Sequence, residues 1–364
     1  MMKSILIYQM ISLFLFCNLA GQDNSNRLTL VFAGDIMGHD SQIASAKYEE
    51  AYNYDTCFSF LQPYIASADI AIANLEVTLA GPPYKGYPRF SSPDELAFAA
   101  RGAGFDLFIT ANNHSLDRNK EGLERTIDVL DKGKILRTGT FKNDRERLLD
   151  YPLIIEKNNI RLAILNYTYG TNGLKTEEPN IVNYTDREQI AKDLEKAKFA
   201  EPDFIIVTMH WGLEYQRSEN IEQRELAEFI AKNGADAIIG SHPHVVQPVN
   251  KIHNGSNETL VVYSLGNFIS NQRKRYTDGG ILFELELEKK QKTRIIDYNY
   301  LPFWVYKPPR IDGGEHFVLL PSSKDKDFYN AIGMSEEDYI QLKLFNEDTS
   351  KLLSGIRQKE ETIK

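Results

Sequence analysis

Apolar residues along this chain come in short, dense runs, and each run stops at a polar loop. Leu28–Ala33 reads LTLVFA and stops at Gly34-Asp35. Asp69–Ala73 (DIAIA) stops at Asn74-Leu75-Glu76, and Phe105–Thr110 leads into Asn112-Asn113-His114. Further on, Phe204–Met209 (FIIVTM) stops at His210-Trp211-Gly212, Ala235–Ile239 at Gly240-Ser241-His242, and Leu260–Ser264 at Gly266-Asn267. Apolar runs of this length are what strands buried on both faces look like. Between them the apolar spacing becomes helical: Pro93–Gly102 behind a Ser92 cap, Glu121–Lys132 with Leu123, Ile127 and Leu130 on one face, Thr185–Phe199, and Gln223–Asn233. Strands alternating with helices predict α/β layering. Strand ends that each deliver a polar residue predict one ligand crevice, because in open α/β sheets such ends converge.

Two stretches depart from this rhythm. Tyr151–Asn166 (YPLIIEKNNIRLAILN) carries an Asn158-Asn159 turn, and Gly280–Leu301 again pairs two apolar runs. Both predict β-hairpins, hence mixed sheets. From Lys324 the chain turns charged and helical, with Ser335–Arg357 read as amphipathic peripheral helices. There is no internal repeat and no long linker.

Composition adds little beyond exclusions. The 364 residues are 42% hydrophobic and 26% charged, with Tyr and Phe at 19 each, enough for a substantial core. A net charge of −9 with no long basic stripe argues against nucleic acid as a partner. The cluster Arg273-Lys274-Arg275 remains as a local contact for an anionic substrate, and Arg273 and Arg275 are its candidate residues.

The N-terminus has the look of a targeting segment. Lys3 precedes the almost wholly apolar Ile5–Leu19, and the polar run Gly21–Asn26 follows. A secretory signal cut after Ala20 (residues 1–20) fits, although Asn18 is a poor residue three positions from the end. A retained membrane anchor is the alternative. Lipidation of Cys17 is disfavoured by the bulky Leu15 and Phe16 before it. Without Cys17 only Cys57 remains, so no intramolecular disulfide supports export.

Chemistry concentrates at the strand ends. Ser241-His242-Pro243-His244 puts two of the seven histidines in one tetrapeptide after a buried run. Imidazole is the commonest ligand for borderline divalent metals, and two such groups can face one point. An isolated histidine is more often a hydrogen-bonded loop residue, and His210 alone would be read so. Its place at an equivalent strand end makes it a third imidazole, with Glu214 and Tyr215 able to support it. Asp35 could bridge metals or cap the next segment. Glu76, Asn74 and Asn113-His114 stand at the next two ends, where asparagine is equally at home as a turn residue. His39, His253 and His316 read as surface or structural. P-loop, dinucleotide and serine-hydrolase motifs are absent from the sequence.

Taken in order, GDIM at Gly34, NLE at Asn74, ANNHSLD at Ala111, HWGLEY at His210, GSHPHV at Gly240 and YSLGNF at Tyr263 resemble the CapA family of poly-γ-glutamate capsule biosynthesis proteins. The resemblance spans roughly Leu28 to Phe283. It implies a calcineurin-like metallophosphatase fold: a four-layer α/β sandwich of two mixed β-sheets flanked by helices. The domain would run over residues 27–305, with a mostly helical extension over 306–364. It further implies one or two divalent ions (Mn, Zn or Fe) held by Asp35, Glu76, Asn113, His210, His242 and His244. Asn74 is the second choice at the bridging position, His114 is the general acid, and Asn267 is a supporting or substrate-contact residue.

One position departs from the family's wider pattern, Asp-x-His, which here reads Asp35-Ile36-Met37. A thioether is a poor ligand in an oxygen and nitrogen site. The resemblance implies a metal-dependent hydrolase of a phosphoester or of an amide in an anionic polymer such as polyglutamate. The protein would be exported, periplasmic or at the cell surface, and would work beside membrane-bound polymer synthase subunits. The rival expectation is a non-catalytic assembly or export factor that binds the polymer.

Overall fold

The computed structural model describes residues 26–255, 257–311 and 313–359. The proposed targeting segment lies outside the described residues. Among those described, no helix is long and apolar enough to cross a membrane.

Two large mixed sheets form the centre. The first has nine strands. Its parallel part runs Arg27–Ile36, Ile70–Leu75, Leu107–Ile109, Leu136–Thr138. On the other flank Arg27–Ile36 pairs antiparallel with Gly279–Lys289, which forms a long hairpin with Thr293–Tyr306. The second sheet has six strands. Here Ile160–Thr168, Phe204–His210, Ala237–Ser241 and Asn257–Val262 are parallel. Leu153–Lys157 and Val249–Asn254 close the two edges antiparallel. The turn at Asn158-Asn159 has φ of 52° and 61°. Asparagine tolerates this left-handed pair, as the two-residue hairpin requires.

Alternation along the strands decides which side chains meet. Leu28, Leu30, Phe32, Ile70 and Ile72 of the first sheet share one cluster with Leu162, Ile164, Ile206, Ile239 and Val262 of the second, and all of them are buried. This apolar layer between the sheets is the main core. The outer face of the first sheet, with Val31, Ala33, Ala71 and Ala73, is covered by Leu96, Ala97 and Ala100 of the helix Asp94–Gly102. The outer face of the second, with Leu165, Val207 and Ile238, is covered by Ile190 and Leu194 of Arg187–Phe199 and by Ala227 and Ile230 of Ile221–Lys232. The result is helix, sheet, sheet, helix: a four-layer sandwich.

Ser92 does not cap its helix. Pro93 takes the cap position with φ −55°, and no side-chain cap bond forms there. The Ser92 N–H instead donates to the Thr78 carbonyl at 2.9 Å. The C-terminal segment contributes strands as well as helices. Val318–Pro321 and Arg357–Gln358 both pair with Thr293–Tyr306. The helix Glu336–Leu352, capped by Ser335, sets Leu342 and Phe345 against Trp304, Tyr306 and Leu320.

Leu285 is wholly buried in the layer between the sheets. Leu285→Ala is expected to cost about 2–5 kcal/mol through lost burial and the cavity left behind. Denaturant unfolding would measure it, and a loss well under that range would mean the two sheets do not share one core.

Candidate metal centre

The inner faces of both sheets turn from apolar to polar at the carboxyl ends of their parallel strands. On the second sheet simple alternation accomplishes this: Phe204 and Ile206 face inward, and His210 follows at the same phase. Ala237 and Ile239 are likewise followed by Ser241. On the first sheet alternation would carry Asp35 to the outer face with Ala33. A register shift prevents it: Ala33 pairs with Ala73, but Asp35 pairs with Asn74. Gly34 is the extra residue of this bulge, and it switches Asp35 to the inner face. A side chain could not replace it, since a Cβ on Gly34 would lie 1.8 Å from the Gly266 carbonyl oxygen.

Asp35, Glu76, Asn113, His210, His242 and His244 thereby meet in one buried cluster, none more than 3% exposed. Two groups have ligand atoms all within 4.8 Å of one another: Glu76 with His242 and His244, and Asp35 with Glu76 and His210. Glu76 belongs to both. Its Oε1 lies 3.6 Å from His210 Nε2 and 3.9 Å from His244 Nε2. Neither Glu76 oxygen has a hydrogen-bond partner, and neither does His242 Nδ1. Buried polar atoms are nearly always paired, so three unpaired ones on ligand-type side chains of one cluster are compatible with a cation site.

The surrounding groups fix the ligand atoms. His210 Nδ1 lies 3.3 Å from Ser241 Oγ and 3.2 Å from Asn74 Nδ2, while its Nε2 is 2.8 Å from Asn113 Oδ1. His244 Nδ1 sits 3.1 Å from Asp35 Oδ2 and 3.0 Å from Asn267 Oδ1, leaving Nε2 toward Glu76. Partners on one ring nitrogen orient the other toward a metal. Asn74 donates to Asp35 Oδ1 at 2.7 Å and accepts from Asn112 at 3.2 Å. Burial, and then the neighbouring Asp35 charge, hold the Glu76 carboxyl well above its usual range. Burial and the facing imidazoles push His210 down, and they push His242 down to about 3. Imidazoles kept neutral are the form that binds metal.

His114 stands beside the cluster with a different partner. Its Nδ1 is 2.6 Å from Asp117 Oδ2, which also accepts from the Phe90 N–H at 2.7 Å. Its ring meets Phe90 edge-on at 4.7 Å. Asp117 thus engages Nδ1 and leaves Nε2 outside that pair.

Other expected positions separate. Asn267 joins the cluster, but Glu214 is exposed at the rim. Arg273 and Arg275 do not join it. Arg273 lies over Trp304 and donates to the Val305 carbonyl at 2.7 Å, and Arg275 pairs with Asp348 at 2.9 Å. Both are held by aromatic and carboxylate partners toward the C-terminal segment. Met37 is buried in the apolar cluster on the helix side of the first sheet. The sequence reading missed Tyr169, whose ring stacks on His210 at 6.3 Å and lies 4.6 Å from His242. It also missed Asp117. The signals were there: Tyr169 sits just past the end of the second hairpin strand, and Asp117 three residues after His114.

A two-sheet sandwich with this cluster at its strand ends defines a calcineurin-like metallophosphatase fold. NAD nucleotidase of Haemophilus influenzae has a similar fold, with a TM-score of 0.51 at 12% identity over 92% of this chain and 57% of that one. Within that class the chain belongs to the bacterial capsule synthesis protein family PGA_cap, whose model matches residues 29–272. It is similar to the capsule biosynthesis protein CapA of Bacillus anthracis, 26% identical over 88% of this chain and 78% of that protein. The PGA biosynthesis protein CapA of Bacillus subtilis is 28% identical over 72% of this chain and 68% of its own length.

Because position 37 packs among apolar side chains, Met37→Leu is expected to leave metal content at the wild-type level. Elemental analysis of the purified variant checks this, and a loss of metal would make the thioether a ligand.

Proposed function

We propose that this chain is a divalent-metal-dependent hydrolase of capsule or poly-γ-glutamate biosynthesis, acting outside the cytoplasm on a phosphoester or on an amide of an anionic polymer. The observation that carries the reading is Glu76: a wholly buried carboxylate with two unpaired oxygens among three imidazoles. Asp35, Glu76, Asn113, His210, His242 and His244 would hold Mn, Zn or Fe. When bound, the cation supplies Lewis acidity toward a phosphoryl or acyl oxygen and toward water. The chain's own residues do the rest. Asp117 holds the His114 ring, so that its Nε2 can deliver a proton to the leaving group. Tyr169, at 46% exposure, shields one side of the imidazoles from water. The names of the Bacillus relatives support the assignment to capsule synthesis, and membrane-bound synthase subunits are the partners that such a process implies.

A second reading, an assembly or export factor, is favoured by one observation. Both Asp35 oxygens are already engaged, by Asn74 and by His244. Together with Met37 this leaves one half of the centre poorer in free ligands. Polymer export in cells that survives both His114→Ala and His242→Ala would select this reading over the enzyme.

Metal binding is tested by heat. Ligand that binds only the folded state stabilises it, by about 2.7 kcal/mol at a hundredfold excess over Kd. Mn²⁺ or Zn²⁺ should therefore raise the wild-type Tm, and Glu76→Gln and His242→Ala should lose that gain. Elemental analysis runs alongside; unchanged metal in both variants would remove the cluster as a metal site.

Acid and ligand roles separate at His114. His114→Ala should keep its metal while any hydrolytic rate falls about 10²–10⁴-fold. Loss of metal in that variant would make His114 a ligand.

A further inference from the structure

Three basic residues follow one another in the loop after the strand Asn267–Ile269, and they point to different places. Arg273 is committed to the strand Thr293–Tyr306, through Val305 and Trp304, and Arg275 to the C-terminal helix, through Asp348. Lys274 alone turns toward the metal centre. Its Nζ rests 4.9 Å from the centroid of the Tyr215 ring, and that ring lies 6.2 Å from the ring of His244. Among the described residues Lys274 has no ion-pair partner.

Both loops are tied to the centre itself. The Tyr215 N–H donates to the Pro243 carbonyl, between His242 and His244, at 2.8 Å. Asn267, whose Oδ1 is 3.0 Å from His244 Nδ1, donates from Nδ2 to the Thr277 carbonyl at 2.7 Å. Thr277 in turn donates from N and from Oγ1 to the Lys274 carbonyl, at 2.9 and 2.8 Å. On the far side, Arg217 and Arg275 flank the Tyr276 ring at 4.3 and 4.9 Å. Asp348 takes both the Arg275 side chain and, through its carbonyl, Arg217 at 3.0 Å. The loop is thus fixed against His244 on one side and the C-terminal helix on the other. An ammonium group on an aromatic face near a buried centre, with no ion-pair partner among the described residues, can receive an anion.

We propose that Lys274 is a substrate-positioning residue: its ammonium group at the mouth receives a second anionic group, carboxylate or phosphate, of a substrate whose reacting group lies at the Glu76 cluster. The inference rests on the hydrolase reading only for where the reacting group sits. It predicts a preference for substrates with two anionic groups over those with one.

Calorimetric titration of the full chain in Mn²⁺ decides it, with three probes: inorganic phosphate, tri-γ-glutamate and 1,3-propanediol bisphosphate. The wild type should hold at least one of the two longer probes more tightly than inorganic phosphate, and which one identifies the anion. Lys274→Gln should weaken that probe about 2- to 5-fold, the scale of one exposed ionic contact. It should leave metal content and inorganic phosphate binding unchanged. Lys274→Arg should restore affinity, and the wild-type advantage should shrink with added salt. Equal binding by wild type and Lys274→Gln, or no preference for either longer probe in the wild type, would overturn the inference. A wild type that takes up none of Mn²⁺, Zn²⁺ and Fe²⁺ overturns the hydrolase reading instead, while the same probe comparison still decides Lys274.

Discussion

Glu76 is buried without a hydrogen bond to either oxygen, and Asp35, also wholly buried, lies within the same cluster. An ionised carboxylate removed from water costs several kcal/mol unless an opposite charge meets it. No lysine or arginine among the described residues bonds to Glu76; its nearest basic atoms are imidazole nitrogens of His210 and His244. Burial holds the His210 and His242 rings neutral, so they cannot supply the missing charge. A divalent cation would meet this requirement and could take up the unpaired nitrogen of His242. Binding of such a cation would stabilise the folded form and so link function to folding.

Placing two carboxylates and three imidazoles at one buried point needs both sheets. Each sheet has an inner face that is apolar for most of its length and polar only at its carboxyl end. Asn166 shows how closely the two polar ends are joined: its Oδ1 accepts from the Ala111 N–H across the sandwich at 2.7 Å. The apolar layer below therefore sets the distance between the ligands above it. Weakening that layer is expected to loosen the centre even where no ligand is touched.

Much of this was legible in the sequence, and the rest was hidden for identifiable reasons. The apolar runs around Ile72, Val207 and Ile238 are dense enough to mark buried strands, and the polar residue ending each run marks the crevice. His210 follows from alternation alone. Asp35 does not, because its inward direction depends on the bulge at Gly34, and a bulge is a property of pairing with a partner strand. The short strands Leu136–Thr138 and Val318–Pro321 carry too little pattern to be seen. Arg273 and Arg275 were attractive as anion contacts by charge. Only tertiary structure shows that Trp304 and Asp348 occupy them and that the residue between them lies over the Tyr215 ring.

The two histidines of the Ser241–His244 turn carry a further constraint. Their φ values are 99° for His242 and 57° for His244, a region that side chains with a Cβ adopt at a cost of about 1–3 kcal/mol each. Such backbones persist where surrounding contacts over-determine them. Here the His242 N–H reaches Asp35 Oδ2 at 3.3 Å, the Pro243 carbonyl accepts from Tyr215, and the His244 ring lies between Asp35 and Asn267. Asp35 makes two of these contacts from the first sheet, and the Tyr215 backbone and Asn267 supply the others. The turn is thus held open toward Glu76 by Asp35 of the first sheet and by the two loops that carry Tyr215 and Lys274. A substrate that engaged those loops would bear on the same contacts that position the His242 and His244 rings.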